Sequence, residues 1–375
     1  MRILVTTNAA IGHFLPMAAT VAELAAGGHE VRIGCPQSFE PFVRTAGFEA
    51  LACEEIEVPV PVPPPPPVDD RDARLTWAVT LSWPSDCRTW IDSLLWQARE
   101  WRPDLVMVEP VEHAGRIVAA ALGAPLIVHG WGFTLPAFVE ERAPLGIADL
   151  YERVSATPPR PALIADLGPA TVQASDAGPG QRYGYRPFSV PGQPLPPPRT
   201  DKSRVLVTLG TYANVAAASL IRRAVAAALD SGADVIAVLG NDDRDSRETF
   251  PPDATVLDWV DMPGAMAECD LAVHHGGAGT SWTALSCGKP AVVLPQAGDQ
   301  FRNAEILSAA GAAVVCSCQE TAGTAAAIAR GLDDSKLTER AAMIARDNAA
   351  MPDVAELAHR IATLATPEEF VTRNR

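Results

Sequence analysis

The segment Trp259–Gln300 constrains this chain more than any other part of its sequence. At its centre a short apolar run, Leu271–Val273, leads into the heptapeptide His274-His-Gly-Gly-Ala-Gly-Thr280. The run predicts a buried strand, and the glycine-rich turn predicts a helix that begins near Thr280. A helix that follows such a turn directs several unpaired backbone N–H groups and the positive end of its dipole towards one point. The segment therefore predicts an anion-binding loop.

Alternation of strands and helices runs through the chain in two rounds. The second round begins with Arg204-Val-Leu-Val-Thr-Leu, much as the first begins with Arg2-Ile-Leu-Val-Thr-Thr. Between and after these runs, the pattern predicts further strands at Val31–Gly34, Leu105–Val108, Leu126–Val128, Val235–Leu239, Thr255–Leu257, Ala291–Leu294 and Ala313–Val315. We therefore predict an α/β chain with two Rossmann-like, doubly wound domains that face a cleft.

The predicted domain limits follow from this repeat and from one proline-rich stretch. Residues 1–190 form the first domain, and its first helix has Pro16 in its first turn. Residues 191–203 form a proline-rich linker, and residues 204–352 form the second domain. Residues 353–375 are expected to form a helix that crosses back to the first domain. Residues 134–187 have too weak a periodicity for their elements to be assigned.

Composition excludes several classes of protein. The net charge of -15 argues against nucleic acid as the main partner, because phosphate backbones require clustered lysine and arginine. The seven cysteines form no CxxC pair, and no apolar run approaches the ~18 residues of a membrane span. We expect a cytoplasmic protein without signal peptide or membrane contact. No His/Cys cluster has the spacing of a metal site, so no metal ion is expected.

A nicotinamide-dependent dehydrogenase is the first enzyme class that two Rossmann-like halves suggest. The G-x-G-x-x-G fingerprint is absent after the first strand, where Asn8-Ala-Ala-Ile-Gly-His13 stands instead. No acidic residue closes the strand Ala291–Pro295 to hold a ribose. The sequence therefore argues against a nicotinamide cofactor.

Polar and aromatic residues follow several predicted strands of the second half at the same sheet edge. Gly210 and Thr211 form a small anion-facing turn, and Trp259 with Val260 offers a flat ring and backbone groups to a base. His274 can donate to a phosphate oxygen, and Asp299-Gln300 suits sugar hydroxyls. Each has a purely structural alternative, such as core packing for Trp259 or His275 and a helix N-cap for Asp299.

At these residues the sequence resembles the GT-B glycosyltransferases that use nucleotide-activated sugars, particularly the bacterial enzymes that glycosylate antibiotics and other polyketide-type aglycones. The resemblance spans nearly the whole chain. It is strongest in His274–Thr280 and in Pro295-Gln-Ala-Gly-Asp-Gln300. The first half contributes Gly12-His13-x-x-Pro16, Glu109-Pro-x-Glu-x-Ala-Gly115 and His129-Gly-Trp131.

The resemblance implies an inverting, metal-independent transfer of a sugar, expected to be a deoxysugar, from a TDP- or UDP-sugar to a hydroxyl of a hydrophobic natural product. His13 matches the family's general base. Glu109 stands where the family usually has an aspartate that orients this base, and Glu112 is the alternative partner. The nucleotide sugar is a co-substrate, so no cofactor is expected. The implied donor-binding residues are Gly210, Thr211, Trp259, Val260, His274, His275, Gly276, Gly277, Ala278, Gly279, Thr280, Asp299 and Gln300.

For the acceptor, the resemblance points to aromatic residues in segments that face the cleft in similar enzymes. These candidates are Trp77, Trp83, Trp90, His113, Trp131 and Phe133. For each tryptophan, core packing and a place in the acceptor pocket both stay open.

Three other functions remain as alternatives. A nucleotide-sugar 2-epimerase shares the two-domain layout, but Gly12-His13 and the tryptophan-rich segment argue against it. A non-catalytic auxiliary protein of the same fold is disfavoured by the intact His13 and donor loop. Hydrolysis of the nucleotide sugar without an acceptor is the weakest alternative. The sequence leaves a homodimer open.

Overall fold

The computed structural model describes residues 1–56, 62–67, 70–199, 201–211, 215–240, 249–316 and 321–364. The chain divides into two compact units. The first contains Met1–Gly168, Ala174–Gly184 and a C-terminal segment that begins at Pro352. The second contains Pro169–Gln173 and Tyr185–Met351. Of the predicted linker and C-terminal helix, residue 200 and residues 365–375 lie outside the described residues.

The first unit contains a seven-stranded sheet with strands in the order β3-β2-β1-β4-β5-β6-β7. All neighbouring strands are parallel. The strands are β1 Arg2–Thr6, β2 Glu30–Pro36, β3 Ala50–Cys53, β4 Leu105–Val108, β5 Leu126–His129, β6 Leu163–Leu167 and β7 Gln181–Tyr183. The central strands β4 and β5 are buried along their whole length, as apolar strands covered by helices on both faces must be.

The second unit contains a six-stranded sheet in the order β10-β9-β8-β11-β12-β13, which is also parallel throughout. Its strands are β8 Arg204–Thr208, β9 Asp234–Val238, β10 Thr255–Leu257, β11 Leu271–His274, β12 Ala291–Val293 and β13 Ala313–Val315. In both sheets the strand order reverses beside the first strand of the unit, β1 or β8. The predicted α/β class with two Rossmann-like sheets is therefore confirmed.

Fifteen α-helices are described alongside the two sheets. They are α1 Ile11–Ala26, α2 Glu40–Thr45, α3 Arg71–Trp77, α4 Trp83–Arg88, α5 Ile91–Trp101, α6 Ala114–Leu122, α7 Ala137–Arg142, α8 Ala148–Arg153, α9 Val215–Asp230, α10 Met262–Ala267, α11 Ala278–Ser286, α12 Gln300–Ala309, α13 Thr321–Asp333, α14 Ser335–Ala349 and α15 Val354–Leu364. A π-helical turn, Ala78–Ser82, joins α3 to α4. In the first unit α15 packs against α1.

Two predicted helix starts are corrected by the structure. Helix α1 begins at Ile11, so Pro16 lies inside the helix rather than in its first turn. Helix α11 begins at Ala278, two residues before the predicted start at Thr280. In both cases the N-cap residue, Ala10 or Gly277, makes no side-chain capping bond, so the usual sequence signal of a helix start is missing.

Candidate active site

A hydrogen-bonded histidine and glutamate lie at the carboxyl edge of the first sheet. His13 lies in the first turn of α1, directly after β1, and Glu109 follows β4. Because β1 and β4 are neighbouring parallel strands, their carboxyl ends meet at this edge. His13 Nδ1 lies 2.9 Å from Glu109 Oε1. The Glu109 side chain is fully buried, whereas that of His13 is 25% exposed.

The hydrogen bonds around Glu109 indicate which tautomer His13 adopts. Val111 N–H donates to Glu109 Oε2 at 2.7 Å, and Asn8 Nδ2 donates to Oε1 at 2.8 Å. With both carboxylate oxygens acting as acceptors, the geometry favours a His13 Nδ1–H that donates to Glu109. The lone pair then lies on Nε2. A histidine in this tautomer can take a proton from another molecule, and the carboxylate stabilises the resulting imidazolium.

Glu112, the alternative partner, makes a different set of contacts. Its carboxylate accepts from Thr6 Oγ1, from Ala114 N–H and, at 2.9 Å, from Gly115 N–H. Glu112 thus joins the end of β1 to the start of α6. Burial raises the pKa of the Glu112 carboxyl to about 7. The partner of His13 in this structure is Glu109.

Trp131 lies beside His13 in the first unit. The ring centroids of Trp131 and His13 are 4.4 Å apart, with an angle of 46° between the planes. Trp131 follows β5 and is 6% exposed, and nearby Phe133 is 4% exposed. Trp131 therefore packs against the His13 ring. Trp131 and Phe133 both come within a few residues of the carboxyl end of β5.

The other predicted acceptor residues differ in how far their side chains are buried. Trp90 is 2% exposed within the hydrophobic core, which favours its packing role. His113 is fully buried before α6, and burial lowers its pKa to about 3. Trp77 and Trp83 are half-buried, and Trp77 Nε1 donates to Pro63 O at 2.8 Å. Their assignment to acceptor binding stays a prediction.

The predicted donor loop connects β11 to α11 in the second unit. Gly276 has a φ of 91°, a left-handed conformation that favours glycine, and Gly277 is the N-cap residue of α11. The first bond of the helix runs from Ser281 N–H to Gly277 O at 3.0 Å. The N–H groups of Ala278, Gly279 and Thr280 come before this bond and have no partner inside the helix. They form the N-terminal end of a nine-residue helix, where an anion is stabilised.

The two histidines of the loop have different surroundings. His274 is fully buried, and Gly276 N–H donates to its Nδ1 at 3.0 Å, so the proton lies on Nε2. His275 is 8% exposed, and its ring lies between the loop after β8 and the helix N-cap. A Cβ at Gly210 would lie 2.5 Å from His275 Cε1, and one at Gly277 would overlap His275 Nε2. His275, for which sequence analysis left packing as the alternative, is therefore the histidine against the N-terminal end of α11.

Asp299 and Gln300 lie at the start of α12. Gln300 Oε1 accepts from Gln296 N–H at 2.9 Å and from Ala297 N–H at 3.2 Å, so the amide shapes its own loop. Asn303, which sequence analysis missed, donates from Nδ2 to Asp299 Oδ2 at 2.8 Å and to Gly276 O at 2.9 Å. This side chain ties α12 to the donor loop. Its i+4 spacing from Asp299 was the only available signal.

Comparison with known proteins connects this geometry to a family. Residues 73–163 and 222–364 match the N-terminal and C-terminal domains described as "Erythromycin biosynthesis protein CIII-like". L-demethylnoviosyl transferase of Streptomyces niveus is 29% identical, across 83% of this chain and 84% of that protein. Tylactone mycaminosyltransferase of Streptomyces fradiae is 26% identical, across 97% of this chain and 92% of that protein.

Solved structures match over almost the full length. The glycosyltransferase SsfS6 of Streptomyces sp. SF2575, complexed with thymidine diphosphate, has a TM-score of 0.84 at 26% identity and covers 97% of this chain and 99% of its own. The chain belongs to the GT-B natural-product glycosyltransferases. The spinosyn rhamnosyltransferase SpnG, complexed with thymidine diphosphate, matches this glycosyltransferase with a TM-score of 0.83 at 27% identity, over 96% of this chain and 100% of its own.

The described part of this glycosyltransferase has two further properties that bear on its partners. None of the described helices is long and apolar enough to span a membrane. Within the same residues, no group of three or more His, Cys, Asp or Glu side chains is arranged to hold a metal ion. The family assignment favours glycosyl transfer over the epimerase and auxiliary-protein alternatives.

Proposed function

We propose that this glycosyltransferase moves a sugar, a deoxysugar by family resemblance, from a nucleoside diphosphate to a hydroxyl of a hydrophobic natural product, with inversion at the anomeric carbon. The structures of SsfS6 and SpnG with thymidine diphosphate support a thymidine-linked donor. A further structure of SpnG holds the spinosyn aglycone, which supports an aglycone as the acceptor. The observation that carries the proposal is the hydrogen bond between His13 Nδ1 and Glu109 Oε1.

The proposed catalytic base is His13 Nε2. An acceptor hydroxyl becomes a stronger nucleophile as its proton leaves, and a histidine titrates in the range where a base is effective near neutral pH. The buried Glu109 carboxylate stabilises the imidazolium that forms. Attack on the face opposite the leaving diphosphate inverts the anomeric configuration, through a transition state with oxocarbenium character.

The proposed stabilisation of the leaving group lies in the second unit. Negative charge grows on the diphosphate as the sugar departs, and backbone N–H groups that are already oriented stabilise such charge without reorganisation. The N–H groups of Ala278, Gly279 and Thr280 provide this environment, together with the positive end of the α11 dipole. The His275 ring beside them adds a further polar contact. On this basis we propose that neither a metal ion nor a cofactor is required.

The remaining donor contacts are proposed from position. Trp259, half-buried after β10, is the surface on which the base stacks, and Val260 follows it. Thr211, after β8, lies on the diphosphate side with Gly210. Asp299 and Gln300 stay the proposed sugar-binding pair, with Asn303 holding Asp299 in place.

One set of assays tests this function. Purified protein is incubated with TDP-deoxysugars and a panel of polyketide-type aglycones, and glycosylated products are detected by their mass shift. His13→Ala should reduce transfer by roughly 10²- to 10⁴-fold while the calorimetric affinity for thymidine diphosphate is retained. His359→Ala, at an exposed histidine on α15, is the matched control. Normal transfer by His13→Ala would exclude the proposed base, and chelator-sensitive transfer would exclude the metal-free reaction. The anomeric proton coupling of the product reports inversion.

A further inference from the structure

The proline-rich segment after Tyr185 makes direct contacts with the loop that carries Trp259. Gln193 N–H donates to Trp259 O at 2.8 Å. In return, Gln193 Oε1 accepts from Asp258 N–H at 2.7 Å and from Trp259 N–H at 3.4 Å. All three residues belong to the second unit. One glutamine therefore engages three backbone groups of two consecutive loop residues.

The residue before Gln193 allows this close approach. A Cβ at Gly192 would lie 2.5 Å from Val260 Cα and 2.8 Å from Trp259 O. Both are backbone atoms, so a side chain at residue 192 could be accepted only if one of the two chain segments moved. Gly192 and Gln193 together place the segment directly on the Asp258–Val260 backbone.

The position of this loop in the sheet explains why it needs such a partner. Among the described strands, β10 lies at the edge of the second sheet, with β9 as its paired neighbour. On its outer side, an edge strand has no neighbouring strand to fix the direction of the backbone that continues from it. Gln193 takes that place, because its main-chain N–H and side-chain oxygen bond to the loop as a paired strand would.

We propose that Gln193 is a positioning residue for the nucleobase of the donor. It holds the backbone at Asp258 and Trp259 in the conformation that presents the indole ring to the base. This inference rests on the proposed function, in which the base stacks on Trp259. Without the Gln193 acceptor, the loop samples other conformations, and binding must restore the competent one at a cost in affinity.

The structure also predicts which part of the nucleotide would bind less tightly if the Gln193 bonds were lost. Gln193 contacts the loop after β10, whereas the proposed diphosphate site is formed by the N-terminal end of α11 and the loop after β8. Loss of the Gln193 bonds should therefore weaken the contribution of the base and leave that of the diphosphate unchanged. A general defect of folding would weaken both.

The test compares the affinities of the full chain for thymidine diphosphate and for inorganic pyrophosphate by calorimetry. Gln193→Leu, which removes the acceptor at similar size, should raise the Kd for thymidine diphosphate roughly 3- to 10-fold, as expected for the loss of one or two net hydrogen bonds. The Kd for pyrophosphate should not change. Gln193→Glu keeps an acceptor oxygen and should bind thymidine diphosphate within about twofold of the unsubstituted chain. Gln181→Leu, at an exposed glutamine of β7, is the matched control.

The outcomes separate this inference from the proposed function. Trp259→Ala tests the base-stacking surface, and thymidine diphosphate binding by the unsubstituted chain tests the donor site. If Trp259→Ala weakens binding and Gln193→Leu does not, the role of Gln193 is excluded while the donor site stands. Equal losses for thymidine diphosphate and pyrophosphate in Gln193→Leu also exclude it. Failure of the unsubstituted chain to bind thymidine or uridine diphosphate would instead overturn the proposed donor.

Discussion

Glu109 Oε1 accepts a hydrogen bond from His13 Nδ1 at 2.9 Å, at a place where the family resemblance implies a shorter aspartate. The additional methylene is accommodated because the Glu109 carboxylate is itself held by Val111 N–H and Asn8 Nδ2. The longer side chain thus reaches the imidazole from a fully buried position. As in an aspartate–histidine pair, a carboxylate accepts the hydrogen bond and the imidazole donates it.

Replacement of Glu109 tests how the carboxylate acts on His13. In Glu109→Gln the amide NH₂ can donate to His13 Nδ1, which favours the tautomer with the proton on Nε2 and removes the base. We expect kcat to fall by about 10²-fold or more, as in other triads with this change, with little change in the affinity for thymidine diphosphate. Glu109→Asp retains the charge and should keep more activity than the glutamine variant. Equal activity in the two variants would contradict the tautomer argument.

Replacement of Gly210 tests the contact between the β8 loop and His275. Gly210 has a φ of 73°, and an alanine Cβ would lie 2.5 Å from His275 Cε1. Gly210→Ala should displace the ring and weaken thymidine diphosphate binding by roughly tenfold or more. Gly232 provides the control, because its φ is 82° but no atom lies within 4 Å of the added Cβ. Both variants should lose roughly 1–2 kcal/mol of stability from the left-handed backbone, and only Gly210→Ala should lose nucleotide affinity.

The pH dependence of stability tests the burial of Glu112. Its pKa in the folded chain is about 7, above the ordinary value of 4.5. As the pH rises from about 4.5 to about 7, the unfolded chain releases this proton first, so the free energy of unfolding falls by up to roughly 3 kcal/mol. Glu112→Gln removes this titration. The difference in thermal midpoint, unsubstituted chain minus variant, should therefore be larger at pH 5 than at pH 7.5.

Other buried groups do not obscure this difference. Burial lowers the pKa values of His113 and His274 to about 3 and those of His129 and His275 to about 4. These histidines stabilise the fold above pH 6.5, and that stabilisation is lost as the pH falls towards their folded pKa values. The effect is common to both proteins and cancels in the comparison. Parallel midpoints across the pH range would show that Glu112 does not titrate as described.

Replacement of two tryptophans on or beside α5 tests how strongly a buried ring and an exposed ring each stabilise the fold. Trp90 is 2% exposed and Trp96 is 66% exposed. Trp90→Ala should lower the free energy of unfolding by about 3–5 kcal/mol, whereas Trp96→Ala should change it by less than about 0.5 kcal/mol. Denaturant titration followed by circular dichroism measures both. A small loss for Trp90→Ala would argue against its place in the core.

The sequence predicted most of both sheets because their strands are continuous apolar runs. Arg2–Thr6, Arg204–Thr208 and Leu271–His274 stand out for this reason. It did not predict three strands of the first sheet, β3, β6 and β7, and the last two of these lie in the segment with weak periodicity. The start of α1 was wrong because Ala10 provides no capping side chain, and this moved His13 from a loop onto a helix.

The sequence names candidate site residues where they form a motif, but not where a single polar side chain joins distant segments. The predicted donor loop is a run of seven consecutive residues in the sequence, His274–Thr280. Gln193 bonds to a residue 65 positions away, and Asn303 bonds to Gly276, 27 positions away. Such contacts follow no period, because the tertiary fold alone brings the partners together.

The contact between α1 and α15 affects how this protein is made and how it can be engineered. Helix α1 lies near the start of the described chain and α15 near its end, and both belong to the first unit. A ribosome must therefore synthesise the whole second unit before α15 can pack against α1. The N-terminal unit is thus completed late, although its sheet emerges first. A chimera between relatives that exchanges donor halves at a single junction would carry a foreign α15 against the native α1. Exchange of residues 185–351 as an internal cassette retains the native pair.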